Sequence, residues 1–219
     1  MTTKPDKIAL IDLGIGNVGS LKRALEEVGA SVIVASDPVG LPGTAKLVLP
    51  GVGGFSTGMQ ALRAANWESE LNNRIVVEKT PCLCICLGMH LLATKGYEGG
   101  ATQGLDVIQG EVTLLPADME DVRLPHMGWN TVQTVAGSRL LAGLPAEFDM
   151  YFAHSYFFSG VEGKFIKAET TYGVNFPSII ENGNCFATQF HPEKSGKRGL
   201  QILANFVNNP TNNLKPTTI

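Results

Sequence analysis

The run Pro81-Cys82-Leu83-Cys84-Ile85-Cys86-Leu87-Gly88-Met89-His90 decides how this chain folds. A short apolar stretch rich in β-prone residues ends at Cys86, and Leu87-Gly88-Met89-His90-Leu91-Leu92-Ala93 follows with helical spacing and no polar linker. A strand that passes straight into a helix must turn sharply. Its last side chain is then held exposed, beside the unpaired N–H groups of the helix start. Such a position suits a nucleophilic thiolate and offers donors to an oxyanion. Cys82 and Cys84 read as small hydrophobes of a buried strand, and Cys86 taken alone admits that reading too.

Strands and helices alternate on either side of this run. Lys7 to Ile11, Ser31 to Ala35 and Lys46 to Leu49 read as buried strands. Between the first two, Leu21, Ala24, Leu25 and Val28 mark an amphipathic helix over Ser20 to Gly29, closed by glycine. Helical patterns also cover Thr57 to Ala65, Glu68 to Glu78 and, at the far end, Gly199 to Asn208. From Val107 to Phe186 the pattern becomes period-two and turn-rich, with short strands near Val112, Val132, Phe152, Ile166 and Ile179. The order predicts an α/β fold in three layers, with a mostly parallel or mixed central sheet and helices on both faces. No repeat or linker interrupts it, so residues 1–208 read as a single domain and 209–219 as a polar, flexible tail.

Composition agrees. The 219 residues carry a net charge of -3, which gives no reason to expect nucleic acid. Four cysteines, three of them in one strand, do not form a disulfide framework, and a reactive thiol needs a reducing compartment. The N-terminal apolar run is too short for a signal peptide or a membrane span, so a cytoplasmic protein is expected.

Two glycine-rich turns follow strands. Gly14, Gly16 and Gly19 satisfy the spacing of a dinucleotide fingerprint, but that reading leaves no role for the charged motif near the C-terminus. No cofactor or metal is therefore expected. The second turn, Leu49-Pro50-Gly51-Val52-Gly53-Gly54-Phe55, brings backbone N–H groups close to whatever lies beside the Cys strand, or is simply a tight turn. The charged motif is Gln189-Phe190-His191-Pro192-Glu193-Lys194-Ser195-Gly196, which follows the apolar run Asn184 to Thr188. Pro192 stiffens the backbone between an imidazole and a carboxylate and should leave both on a non-helical segment.

The elbow and this motif together resemble the class I (triad) glutamine amidotransferases. The resemblance implies a triad of Cys86, His191 and Glu193, in which a thiolate attacks the glutamine amide, an imidazole moves the proton and a carboxylate orients the imidazole. It also implies an oxyanion site from Gly51, Val52, Gly53 and Leu87. The blocks Ile11 to Asn17, Leu124-Pro125-His126-Met127-Gly128-Trp129-Asn130 and Tyr151-Phe152-Ala153-His154-Ser155-Tyr156 are similar to one branch of that family. This branch is the glutaminase subunits of imidazole glycerol phosphate synthases, and the similarity spans Lys7 to about Asn208. It implies a heterodimer with a (β/α)8-barrel cyclase subunit that receives the ammonia, with no nucleic-acid or membrane partner. Gly53, Gly88, Met89, His90, His154, Ser155 and Tyr156 would surround the glutamine. Asn17, Trp129, Tyr151 and Lys194 would face the cyclase or its approach.

Two positions depart from the pattern. Cys84 stands where the family has glycine, and His90 where it has glutamine. An imidazole offers one donor in place of an amide's paired groups, and one that titrates freely would matter near neutral pH. Two alternatives remain on the sequence alone: a paralogous glutaminase feeding another synthase, such as one for surface sugars, and a partner subunit that no longer hydrolyses glutamine.

Overall fold

The computed structural model describes residues 7–16, 18–43, 45–119 and 122–208. Asn17 and the expected tail, 209–219, lie outside the described residues. In chain order the strands are β1 (Lys7–Ile11), β2 (Ser31–Ala35), β3 (Lys46–Gly51), β4 (Cys82–Cys86), β5 (Lys95–Gly96), β6 (Thr102–Gln103) and β7 (Glu111–Leu114). They continue with β8 (His126–Thr134), β9 (Glu147–His154), β10 (Tyr156–Ser159), β11 (Ile166–Tyr172), β12 (Val174–Asn182) and β13 (Cys185–Thr188). The helices are α1 (Val18–Glu27), α2 (Phe55–Ala64), α3 (Trp67–Asn72), α4 (Leu87–Leu91) and α5 (Gly196–Val207).

One nine-stranded sheet runs β2-β1-β3-β4-β13-β12-β11-β8-β9. Its first five strands are mutually parallel, and from β13 onward each neighbour is antiparallel. The parallel half needs cover on both faces because its strands are mostly apolar, and all five residues of β4 are buried. Leu83, Ile85 and Cys86 pack with α1 and α5 on one face. Cys82 and Cys84 pack with α2, α3 and α4 on the other. These are the expected three layers. A smaller sheet, β10-β7-β5-β6, was not legible in the sequence, since β5 and β6 have only two residues each.

Two helical readings are corrected. The pattern over Glu68 to Glu78 is an α-helix only to Asn72 and then widens into a π-helical turn, Asn73–Val77. There the buried Arg74 turns its guanidinium to the carbonyls of Gly43 and Ala45. The helix after Cys86 lasts only to Leu91 because the backbone then folds back onto β5–β7 loops, where Leu91 and Leu92 carbonyls accept from Leu105, Val107 and Ile108. Among the described residues, no helix is long and apolar enough to cross a membrane.

Candidate active site

Cys86 is the last residue of β4, and α4 begins at the next residue. Its backbone stands at φ 54 and ψ −109, a left-handed conformation that costs a non-glycine residue on the order of 1–3 kcal/mol. The turn is possible because α4 lies against β3 with no intervening side chain at Gly88. A Cβ there would sit 1.9 Å from the Leu49 carbonyl oxygen. The packing beneath the elbow therefore fixes its sharpness. Cys84 is accommodated on the opposite face of β4, with its sulfur 3.5 Å from that of Cys82.

Strand β13, paired in parallel with β4, carries the chain to His191 at the same end of the sheet. The His191 Nδ1 and Glu193 Oε1 atoms are 2.9 Å apart. The backbone around them is tied down: His191 N–H donates to Tyr151 O, and Ser195 Oγ donates to His191 O at 2.6 Å while accepting from Tyr151 N–H. The expectation of a non-helical segment is corrected here, because Pro192–Lys194 forms a single 3-10 turn with proline in its first turn. Proline suits that position because its missing N–H would be unpaired anyway. Burial, the largest single influence on His191, opposes its charge. Hydrogen bonds to Cys86 and Glu193 and the charges of both outweigh it, so the imidazole pKa is raised to about 9.

Cys86 opens on a cavity of about 260 Å³, large enough for a small amino acid. Val52, Gly53 and Gly54 from the glycine turn form one wall, and Leu87 and His90 from α4 the floor. His154, Ser155 and Tyr156, at the corner between β9 and β10, form another wall. Gly51, by contrast, lines a second cavity of about 30 Å³ behind the turn, together with Val52, His191 and Glu193. Gly88 and Met89 are not brought to the large cavity: Gly88 faces Leu49, and Met89 is fully buried in the core.

His90 lines the cavity, but its Nε2 pairs with Gln189 Oε1 at 2.7 Å. Since an amide oxygen only accepts, His90 donates. Burial lowers its pKa to about 4, partly offset by Gln189, so the expectation of titration near neutral pH is corrected. Trp129, Tyr151 and Lys194 form one group beside the site. The rings of Trp129 and Tyr151 meet edge-on at 6.2 Å, and Lys194 Nζ lies 5.7 Å from the Tyr151 ring centre. Trp129 and Met127 are 60% and 64% exposed, large values for apolar side chains this close to a cavity.

Two residues at the site have roles that the sequence did not assign. Glu98 enters the cavity wall and accepts the Phe55 N–H at 3.1 Å, and burial raises its carboxyl pKa despite that bond. It comes from Tyr97-Glu98-Gly99-Gly100, a turn without motif character. Gln189 is within the quoted motif but gains its role only by facing His90 across the sheet.

Residues 9–209 match the family model described as glutamine amidotransferase class-I. The chain is 40% identical over 200 residues to imidazole glycerol phosphate synthase subunit HisH 1 of Campylobacter jejuni, covering 91% of this chain and 98% of that one. It is 43% identical over 201 residues to the HisH subunit of Archaeoglobus fulgidus, covering 92% and 98%. A crystal structure of a glutamine amidotransferase superposes with a TM-score of 0.66 over 90% of this chain and 98% of its own, at 20% identity. That last likeness bears on the fold alone.

Proposed function

The chain belongs to the class-I glutamine amidotransferases, and from that premise we propose that it is the glutaminase subunit of an imidazole glycerol phosphate synthase. The observation that carries the reading is the meeting of three groups: a cysteine strained at a strand-to-helix elbow, an imidazole whose pKa that cysteine helps to raise, and a carboxylate 2.9 Å from the imidazole Nδ1.

Glutamine enters the cavity with its side-chain amide at Cys86. The Glu98 carboxylate is placed to meet the α-ammonium, and the Ser155–Tyr156 corner to meet the rest of the amino-acid backbone. The Cys86 thiolate attacks the amide carbon while its proton rests on His191. The oxyanion develops beside the Leu87 N–H and the Val52–Gly53 turn, where donors count most. His191 returns the proton to nitrogen as the C–N bond breaks, leaving ammonia and a thioester. Water, deprotonated by the same imidazole, then releases glutamate and the thiol. Glu193 holds His191 in register throughout. Ammonia passes to a (β/α)8-barrel cyclase seated on the exposed group of Met127, Trp129, Tyr151 and Lys194, in the cytoplasm. Residues 1–208 act as one domain, a reading the continuous sheet supports.

The decisive experiment assembles the chain with a histidine-pathway cyclase and follows glutamate release. Cys86→Ser should lose glutamine-dependent turnover by about a thousandfold or more, while synthesis from added ammonium salt persists. Retained glutamine turnover would remove Cys86 from the mechanism. Activation by some other synthase, and none by the cyclase, would favour a paralogous role.

A further inference from the structure

Two buried histidines outside the proposed triad form a hydrogen-bonded line whose direction is fully determined. His154 Nδ1 is 2.8 Å from the carbonyl oxygen of Tyr156, so the nitrogen donates. In a neutral ring His154 Nε2 must then accept, and the atom facing it at 2.9 Å is His126 Nδ1. His126 therefore donates from Nδ1 and accepts at Nε2, where the Asn130 Nδ2 group stands at 3.1 Å. The Asn130 amide cannot be reversed, because its oxygen takes the Thr131 N–H at 2.7 Å and its nitrogen also donates to Thr171 O. Every donor in the line meets an acceptor.

Both rings are neutral at ordinary pH. Burial, chiefly, lowers His126 to about 4 and His154 to about 3, with the charges of His126, His90 and His191 adding to the effect on His154. His126 does not line the cavity. It is stacked between the rings of Tyr172, at 4.0 Å, and Phe152, at 4.9 Å. It is also the cross-strand partner of His154 in the β8–β9 register. His154 does line the cavity, and through the Tyr156 carbonyl it braces the corner where the chain leaves the large sheet for the small one.

We propose that His126 is a positioning residue for substrate: by donating to His154 Nε2 it holds that ring with Nδ1–H on the Tyr156 carbonyl, and so fixes the Ser155–Tyr156 corner that receives the amino-acid end of glutamine. Without the His126 donor, His154 Nε2 becomes a buried acceptor with no partner. The ring can regain one only by swinging Nε2 toward the cavity that it lines, which draws Nδ1–H off the Tyr156 carbonyl and loosens the corner. Cys86 ends β4, His191 and Glu193 lie past the end of β13, and the side-chain hydrogen bonds of Cys86 and His191 go to Ala153 O and Glu193 and not to the histidine line, so the effect falls on glutamine binding and spares the chemical step. The substrate named here rests on the proposed glutaminase reading; the tautomers do not.

The test has two arms. In the wild-type chain, 15N spectra of labelled histidine at neutral pH should show His126 and His154 each protonated on Nδ1 and bare on Nε2. A proton on Nε2 of His154 overturns the proposal whether or not the chain hydrolyses glutamine. In the assembled synthase, His126→Phe keeps a ring between Tyr172 and Phe152 but has no donor, whereas His126→Asn keeps an N–H near the Nδ1 position and loses the stack. The Phe variant should raise KM for glutamine about tenfold with kcat changed less than about threefold, and the Asn variant should recover most of it. The reverse order, Phe near normal and Asn impaired, would make His126 a packing residue and overturn the assignment. If the Phe variant does not fold, the spectra and the Asn variant still decide. A wild-type complex that releases no glutamate would sink the glutaminase reading, with the spectra still deciding this one.

Discussion

The parallel and antiparallel halves of the sheet meet at the candidate cavity and build their sides of it by different means. In the parallel half, β3, β4 and β13 end together, and the groups they deliver are set by backbone conformation and close contact: Cys86 at φ 54, the glycine turn after β3, and α4 pressed on Leu49 through Gly88. In the antiparallel half, the wall from β8 and β9 is set by side-chain hydrogen bonds through His126, His154 and Asn130. At Gly88 the first half has no room for an extra atom; at Gly128 the second has room, but its wall depends on each partner in a line.

That contrast is open to attack by glycine substitution. Gly88→Ala would force α4 away from β3, since the new Cβ falls 1.9 Å from the Leu49 carbonyl oxygen. A loss of about 3–5 kcal/mol is expected, a drop in Tm of about 6–20 °C. Gly128, in β8, has no heavy atom within 4 Å of its would-be Cβ, so Gly128→Ala meets only the strain of φ 134, about 1–2 kcal/mol. Equal losses in thermal unfolding would break the distinction.

A smaller effect should follow Glu193→Gln at the meeting point of the halves. The amide still orients His191 but removes a charge that favours the imidazolium, and kcat should fall about a hundredfold with KM little changed. The folded pKa of about 9 stands above the unfolded value near 6.5, so this contribution to stability is full below about pH 6.5 and is lost as pH rises through 9. The variant should show a shallower loss over that window. A wild-type stability curve that rises there, or a variant with the same slope, would count against the His191–Glu193 pairing.

The smallest effect sharpens the comparison at α4. His90→Gln exchanges one neutral donor to Gln189 for another, so KM for glutamine should move only several-fold. With His90 at about 4, the acid limb of kcat/KM above pH 5 should coincide in wild type and variant. A limb that flattens in the variant would mean that His90 titrates in the working range after all.

How much of this was readable beforehand follows the same division. The parallel half was legible because buried parallel strands read as continuous apolar runs and their helices as amphipathic ones, and the elbow needs only adjacent residues. Two helix starts were read two to three residues late, at Ser20 for Val18 and at Gly199 for Gly196, where short-range pattern is weakest. The two-residue strands of the small sheet, the π-turn after Asn72 and the wall residue Glu98 were not legible. The strands are too short to show a period, and the π-turn and Glu98 depend on partners far along the chain.

By itself the sequence determined the α/β layering, the elbow at Cys86, and His191 and Glu193 as a stiff pair two residues apart. Hydrophobic period, a strand-to-helix junction and a proline are local properties that neighbouring residues fix. Only the tertiary structure decided that His90 is neutral and spent on Gln189, that Met89 faces the core, and that His126 and His154 point their protons one way. Protonation and tautomer depend on burial and on the group across the gap, and those groups stand 99 residues away in one case and 28 in the other.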